Sequence, residues 1–137
     1  RILLLTRDAR GVQYSNIKRG RNGQQALKSW KKHYARASST LLKTVGKNNW
    51  LHIRYEDMAK DPESVLKTIC EFAGIYFSEE MLDLSSKERH LTSGNDMRLF
   101  KAGDIRIDTA WKKGLSPDDL RSYENIAKKL NESFGYQ

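Results

Sequence analysis

The sequence predicts an α/β fold built on parallel strands, and three observations carry that expectation. Residues 2–6 (Ile2-Leu3-Leu4-Leu5-Thr6) and 50–55 (Trp50-Leu51-His52-Ile53-Arg54-Tyr55) read as short strands. The long connection between them has helical periodicity, and strands joined by a helical crossover run parallel. The first run is apolar at successive positions, the pattern of a strand covered on both faces.

The elements follow in order. After the first strand, Asp8 stands where it can cap a helix from about Ala9 to Arg19, and Gly20, Asn22 and Gly23 then break the chain. Residues 24–45 read as a long amphipathic helix, because Leu27, Trp30, Tyr34, Ala37, Leu41 and Val45 recur at three- and four-residue spacing. Gly46 ends it. After the second strand, Asp61-Pro62 supplies an N-cap and a proline at the first helical position. Val65, Leu66, Ile69, Cys70, Phe72 and Ala73 give that helix its apolar face, and Gly74 stops it. Residues 79–84 suggest a short helix. Residues 85–110 lack clean periodicity and read as a long functional loop. Ser116-Pro117-Asp118-Asp119 opens a last helix, with Leu120, Tyr123, Ile126 or Ala127, Leu130 and Phe134 along one face.

Two parallel strands are too few for a freestanding sheet of this kind, which needs further strands and cover on both faces. The expectation is therefore that residues 1–137 are the C-terminal part of a single larger domain whose N-terminal half is missing. The chain opens at Arg1 directly on a strand, so an upstream targeting or membrane segment stays open.

Composition narrows the classes. The chain has 137 residues, 38% apolar and 31% charged, which suits one soluble globular domain. No apolar run approaches the roughly 20 residues that cross a bilayer, so no membrane contact is expected of this segment. Cys70 is the single cysteine and falls on an apolar helix face, which excludes an internal disulfide and reads as a buried thiol. His33, His52 and His90 lack ligand spacing, so no metal is expected. The triplet Asn131-Glu132-Ser133 matches a glycosylation sequon inside a predicted helix, where it reads as a chance match. The net charge of +8 favours anionic partners. No zinc-finger, RNA-binding or homeodomain pattern is present, so nucleic acid is not an expected partner.

The candidate site starts at the first strand. Ligands of open α/β sheets bind beyond the carboxyl ends of the strands. Arg7 stands there and can fork two donors onto a phosphate. Ser15 follows eight residues later, inside the next helix, whose N-terminal amides add positive potential. Position alone favours the plainer reading, in which Arg7 pairs with a nearby carboxylate and Ser15 is solvated. Tyr55, at the end of the second strand, can cover a flat base or close the core. Glu56 and Asp57 read as turn and helix-cap residues that position the strand end.

These blocks, in this order, resemble the sulfotransferases that use 3'-phosphoadenosine-5'-phosphosulfate (PAPS). Thr6-Arg7-Asp8-Ala9-Arg10 with Ser15 looks like the family's 3'-phosphate motif, which places that role on Arg7 and Ser15 and leaves Arg10 a structural or peripheral contact. Tyr55-Glu56-Asp57, Asp61-Pro62 and Phe72-Ala73-Gly74 resemble its strand, turn and helix block, with Ala73 in place of the usual leucine. By that resemblance Tyr55 contacts adenine. His90 through Arg98, followed by Trp111, resembles a late-loop pattern of bacterial and carbohydrate-type members, with Asp96 where proline is usual. Arg98 is then a second phosphate ligand, and Ser93, Gly94 and Asn95 supply further donors. Trp111 reads as a packing anchor and His90 as a loop anchor. The Arg-Lys-Gly loop of cytosolic phenol-type members is missing.

The resemblance implies a P-loop-NTPase-like sulfotransferase fold with a parallel sheet, of which the C-terminal half is represented here. It implies sulfuryl transfer from PAPS to a hydroxyl or amine of a carbohydrate or small-molecule acceptor, releasing adenosine 3',5'-bisphosphate (PAP), without a metal. The 5'-phosphosulfate loop and the catalytic His or Glu belong to the family's preceding half, so no catalytic residue is assigned here and the fragment alone is expected to be inactive. A bacterial protein would be cytoplasmic, and an animal carbohydrate-type enzyme would face the Golgi lumen. Another P-loop-like nucleotide-binding protein or kinase, and an inactive sulfotransferase-like binding domain, are the alternatives.

Overall fold

The computed structural model describes residues 1–83 and 107–137. Strand β1 (Ile2–Thr6) pairs in parallel with β2 (Trp50–Arg54), from Ile2 opposite Trp50 to Thr6 opposite Arg54. Helices α1 (Ala9–Ile17) and α2 (Gly23–Thr40) form the crossover. After β2 come α3 (Tyr55–Lys60), α4 (Pro62–Ala73) and a 3-10 turn at Glu79–Met81. In the second described stretch lie α5 (Trp111–Gly114), α6 (Pro117–Ile126) and α7 (Lys128–Ser133). The described residues are thus mostly helical around a two-stranded parallel sheet.

Local chemistry sets the helix ends. Asp8 accepts from the Arg10 N–H at 2.9 Å and Asn22 from the Gln25 N–H at 2.9 Å. Asp61 accepts from the Ser64 N–H at 3.1 Å, with Pro62 next in line. Ser116 and Asp119 form a reciprocal capping box. Gly74 ends α4 at φ 74°, a left-handed conformation that a side chain would disfavour.

The boundaries differ from expectation in several places, and the short helix expected over 79–84 is a single 3-10 turn at Glu79–Met81. The first helix ends at Ile17, not Arg19. The α-helical geometry of α2 stops at Thr40, and Leu41–Val45 continue as a wider π-type turn before Gly46. Tyr55 opens α3 instead of closing β2. The last helix is divided at Ala127, where φ reaches −119°. Hydrogen bonds run through that break, from Ala127 N–H to Tyr123 and from Asn131 N–H to Ala127, so the apolar face continues across it.

The core lies between the helices, at one side of the sheet. Ala9, Leu27, Trp30, Tyr123 and Ala127 are buried together, with Val12, Tyr34, Ile126, Leu130 and Phe134 packed around them. Phe134 meets Trp30 edge-on at 6.1 Å between ring centres. β1 departs from the expected double cover. Leu4 and Thr6 are buried, while Leu3 and Leu5 are 47% and 52% exposed. Successive strand residues point to opposite faces, and the described residues cover one of them.

Leu27 is fully buried at the centre of this core. Leu27→Ala is expected to lower the unfolding free energy of the intact protein by about 2–5 kcal/mol, read from urea denaturation.

Candidate functional site

β1 turns into α1 within two residues, which strips the backbone of its ladder partners at the corner. Buried peptide groups need replacements, and distant side chains supply them. The Tyr34 hydroxyl donates to the Leu5 carbonyl at 3.0 Å, and the Trp30 indole N–H donates to the Arg7 carbonyl at 3.1 Å. Glu56 Oε1 accepts from the Asp8 N–H at 3.1 Å. Asn131 Oδ1 accepts from the Ala9 N–H at 2.9 Å. Below the corner, the buried Thr6 hydroxyl lies 2.8 Å from His52 Nε2 and 3.0 Å from the Tyr136 hydroxyl.

Arg7 projects from this braced turn. Its guanidinium lies 5.1 Å from the centre of the Tyr55 ring and 3.3 Å from Asp108 Oδ2. The carboxylate pairing that position alone allowed is therefore present. Both side chains of the pair are partly exposed, at 31% and 42%. Such a pair contributes about 0–1 kcal/mol, so a stronger anion can displace Asp108. Gly11 keeps the approach open: a Cβ there would sit 3.6 Å from both Arg7 Nε and Trp111 Cδ1, so a longer side chain would enter the space they use. Ser15 lies one helical turn beyond Gly11, on the same face of α1.

The structure thus brings Arg7 and Tyr55 together and sets Ser15 one turn beyond Gly11 on the same face of α1. Ser93, Gly94, Asn95 and Arg98, together with His90, lie outside the described residues. Arg10 holds Asp8 at 2.7 Å, donates to the Gln137 carbonyl at 2.7 Å and stacks 4.1 Å from the Trp111 ring centre. It is a structural residue, and Trp111 is the surface it packs on. Asp57 makes a two-pronged pair with Arg54, each contact 2.7 Å. Among the described residues, no group of three or more His, Cys, Asp or Glu side chains could hold a metal ion. No helix among them is long and apolar enough to cross a membrane.

Sequence reasoning missed Asn131, Tyr136 and Asp108. Asn131 is fully buried and donates to the Tyr123 hydroxyl at 3.0 Å and to Asp8 Oδ1 at 3.3 Å. Its amide is engaged on both ends, which leaves no room for a glycan on the sequon. The available signal was a polar residue set between the apolar-face positions Leu130 and Phe134. Tyr136 is held above the ordinary phenol range, chiefly by burial. His52 is held below the ordinary imidazole range by burial first and then by the Arg54 charge, with Asp57 opposing.

The sulfotransferase family profile matches residues 1–79, more than half of the chain. The chain belongs to the sulfotransferase family. Its fold is similar to the sulfotransferase domain of the Synechococcus PCC 7002 olefin synthase, with 28% identity and a TM-score of 0.72. That likeness covers 98% of this chain and 49% of the other. The sulfotransferase domain from the curacin biosynthetic pathway shares the fold at 21% identity and a TM-score of 0.62, over 91% of this chain and 52% of its own. The chain therefore spans about half the length of these family domains. No curated protein sequence matches it. Both strands, the α1 corner and the whole of α4 fall within the matched family segment.

The His52 shift has a pH consequence. A depressed imidazole pKa means that the folded state binds fewer protons than the unfolded state below about pH 6.5. Stability should fall as the pH drops through that value towards the folded-state pKa. Thermal unfolding of the intact protein between about pH 7 and 5 should show a steeper loss of Tm for wild type than for His52→Gln.

Proposed function

We propose that the intact protein is a PAPS-dependent sulfotransferase and that this segment holds the donor's 3'-phosphate and adenine. The observation that carries the reading is the meeting of Arg7 and Tyr55 beyond the carboxyl ends of two parallel strands, in a chain of the sulfotransferase family. In this role the Arg7 guanidinium exchanges Asp108 for the 3'-phosphate. The Ser15 hydroxyl adds a donor, and the Tyr55 ring covers the base. Arg98, Ser93, Gly94 and Asn95 complete the nucleotide's partners on the strength of their motif.

The reaction in this reading is attack of an acceptor hydroxyl or amine on the donor sulfur. The bond from sulfur to the bridging oxygen breaks, PAP leaves, and a general base takes the acceptor proton. The base and the 5'-phosphosulfate loop belong to a preceding half of the same domain, in a P-loop-NTPase-like architecture with a larger parallel sheet. Two observations support that half: the chain spans about half the length of the similar domains, and Leu3 and Leu5 of β1 stand exposed where a further layer would cover them. The acceptor class we favour is a hydroxylated small molecule or carbohydrate. The two similar domains come from an olefin synthase and a biosynthetic pathway, which fits a small-molecule acceptor. The family match favours this reading over a kinase.

Calorimetry with PAP on the intact protein tests the assignment. Arg7→Ala should weaken binding by about 10- to 150-fold, the loss of a charge-assisted phosphate contact. Ser15→Ala removes a hydroxyl donor and should cost less, about 2- to 10-fold. A folded, intact wild type that does not bind PAP would overturn the donor assignment.

A further inference from the structure

Building on the donor-site reading, we propose that Glu56 is a positioning residue that fixes Arg7 relative to Tyr55. The register of β1 and β2 ends with Thr6 opposite Arg54. Continued by two residues, it would set Arg7 beside Tyr55 and Asp8 beside Glu56. The backbone ladder cannot supply that continuation, because Tyr55 opens α3 and its peptide turns away from the sheet. Glu56 takes its place: Oε1 accepts from the Asp8 N–H at 3.1 Å. A carboxylate on a peptide N–H is a charge-assisted bond, stronger than the neutral ladder bond it replaces. The two corners are tied together one residue beyond Arg7 and one residue beyond Tyr55.

The surroundings of Glu56 suit a fixed strut. Oε2 is buried, so the carboxylate does not face open solvent. Tyr34 and Tyr136 both sense its charge; burial first, and Glu56 in addition, hold each phenol above its ordinary range. Both tyrosines therefore stay protonated, and both bond to β1, at the Leu5 carbonyl and the Thr6 hydroxyl. Arg54 is a cation that feels the Glu56 charge, and it is itself anchored on Asp57 and the Gly135 carbonyl. Glu56 thus sits where β1, β2, α2 and the C-terminal residues converge, one position from a side chain assigned to adenine. Its bond reaches the residue after the one assigned to phosphate.

A ligand that engages both corners should feel the strut, and a ligand that engages one should not. The test compares PAP with adenosine 5'-phosphate, which lacks the 3'-phosphate, by calorimetry on the intact protein. Glu56→Ala should weaken PAP by about 5- to 20-fold while changing adenosine 5'-phosphate by less than about twofold. In an Arg7→Ala background it should add less than about twofold, because the partner to be positioned is gone. Glu56→Gln keeps an acceptor oxygen and should recover most of the lost affinity. If Glu56→Ala does not fold, Glu56→Asp draws the carboxylate back by one methylene and carries the same expectation. Equal losses for both nucleotides, unchanged PAP binding, or full additivity with Arg7→Ala would each overturn the positioning role. Wild type that fails to bind PAP overturns the donor reading, and this inference with it.

Discussion

The turn from β1 into α1 imposes the demand that organises the rest of the chain. A strand that ends inside a protein leaves peptide groups without ladder partners, and burial makes each of them costly. The groups from Leu5 to Ala9 are met by Tyr34, Trp30, Glu56 and Asn131, which come from α2, α3 and α7. Those side chains are also where the helices meet: Trp30 and Tyr34 pack on Phe134, and Asn131 bonds Tyr123. Satisfying one corner therefore fixes how α2, α6 and α7 stack, and the apolar core fills the space between them.

Arg7 gains its character from that scaffold. The backbone on either side is held by buried and half-buried partners, whereas its own guanidinium rests on an exposed aspartate and a tyrosine ring. A cation on a rigid base with a replaceable counter-ion is suited to an incoming anion, because little chain entropy remains to be lost on binding. The net charge of +8 adds a general attraction for anions. The same logic accounts for Gly11, where a long side chain would intrude on the guanidinium and the Trp111 edge.

Much of this was legible in the sequence, for local reasons. The strands, their parallel pairing, the caps at Asp8, Asp61 and Ser116, and the glycine stop at Gly74 follow from short-range rules, and each is observed. The family was legible in the order of the Arg7, Tyr55 and Asp61-Pro62 blocks. What escaped was long-range. The bond from Asn131 to Ala9 spans most of the chain, and the local pattern around Asn131 does not name its partner. Tyr55 read as a strand residue because it continues the alternation of Leu51 and Ile53, yet the chain turns into α3 there, with Glu56 bonded to Asp8 and Asp57 paired with Arg54. The exposure of Leu3 and Leu5 escaped because an apolar run indicates what a strand can bury, not what covers it.

The central claim is that the corner after β1 receives the donor's 3'-phosphate, and a crystal structure of the intact protein with PAP bound tests it most directly. The predicted result is a 3'-phosphate on the Arg7 guanidinium within reach of the Ser15 hydroxyl, with Asp108 moved off Arg7 and the adenine against Tyr55. PAP bound elsewhere, with Arg7 still paired to Asp108, would contradict it.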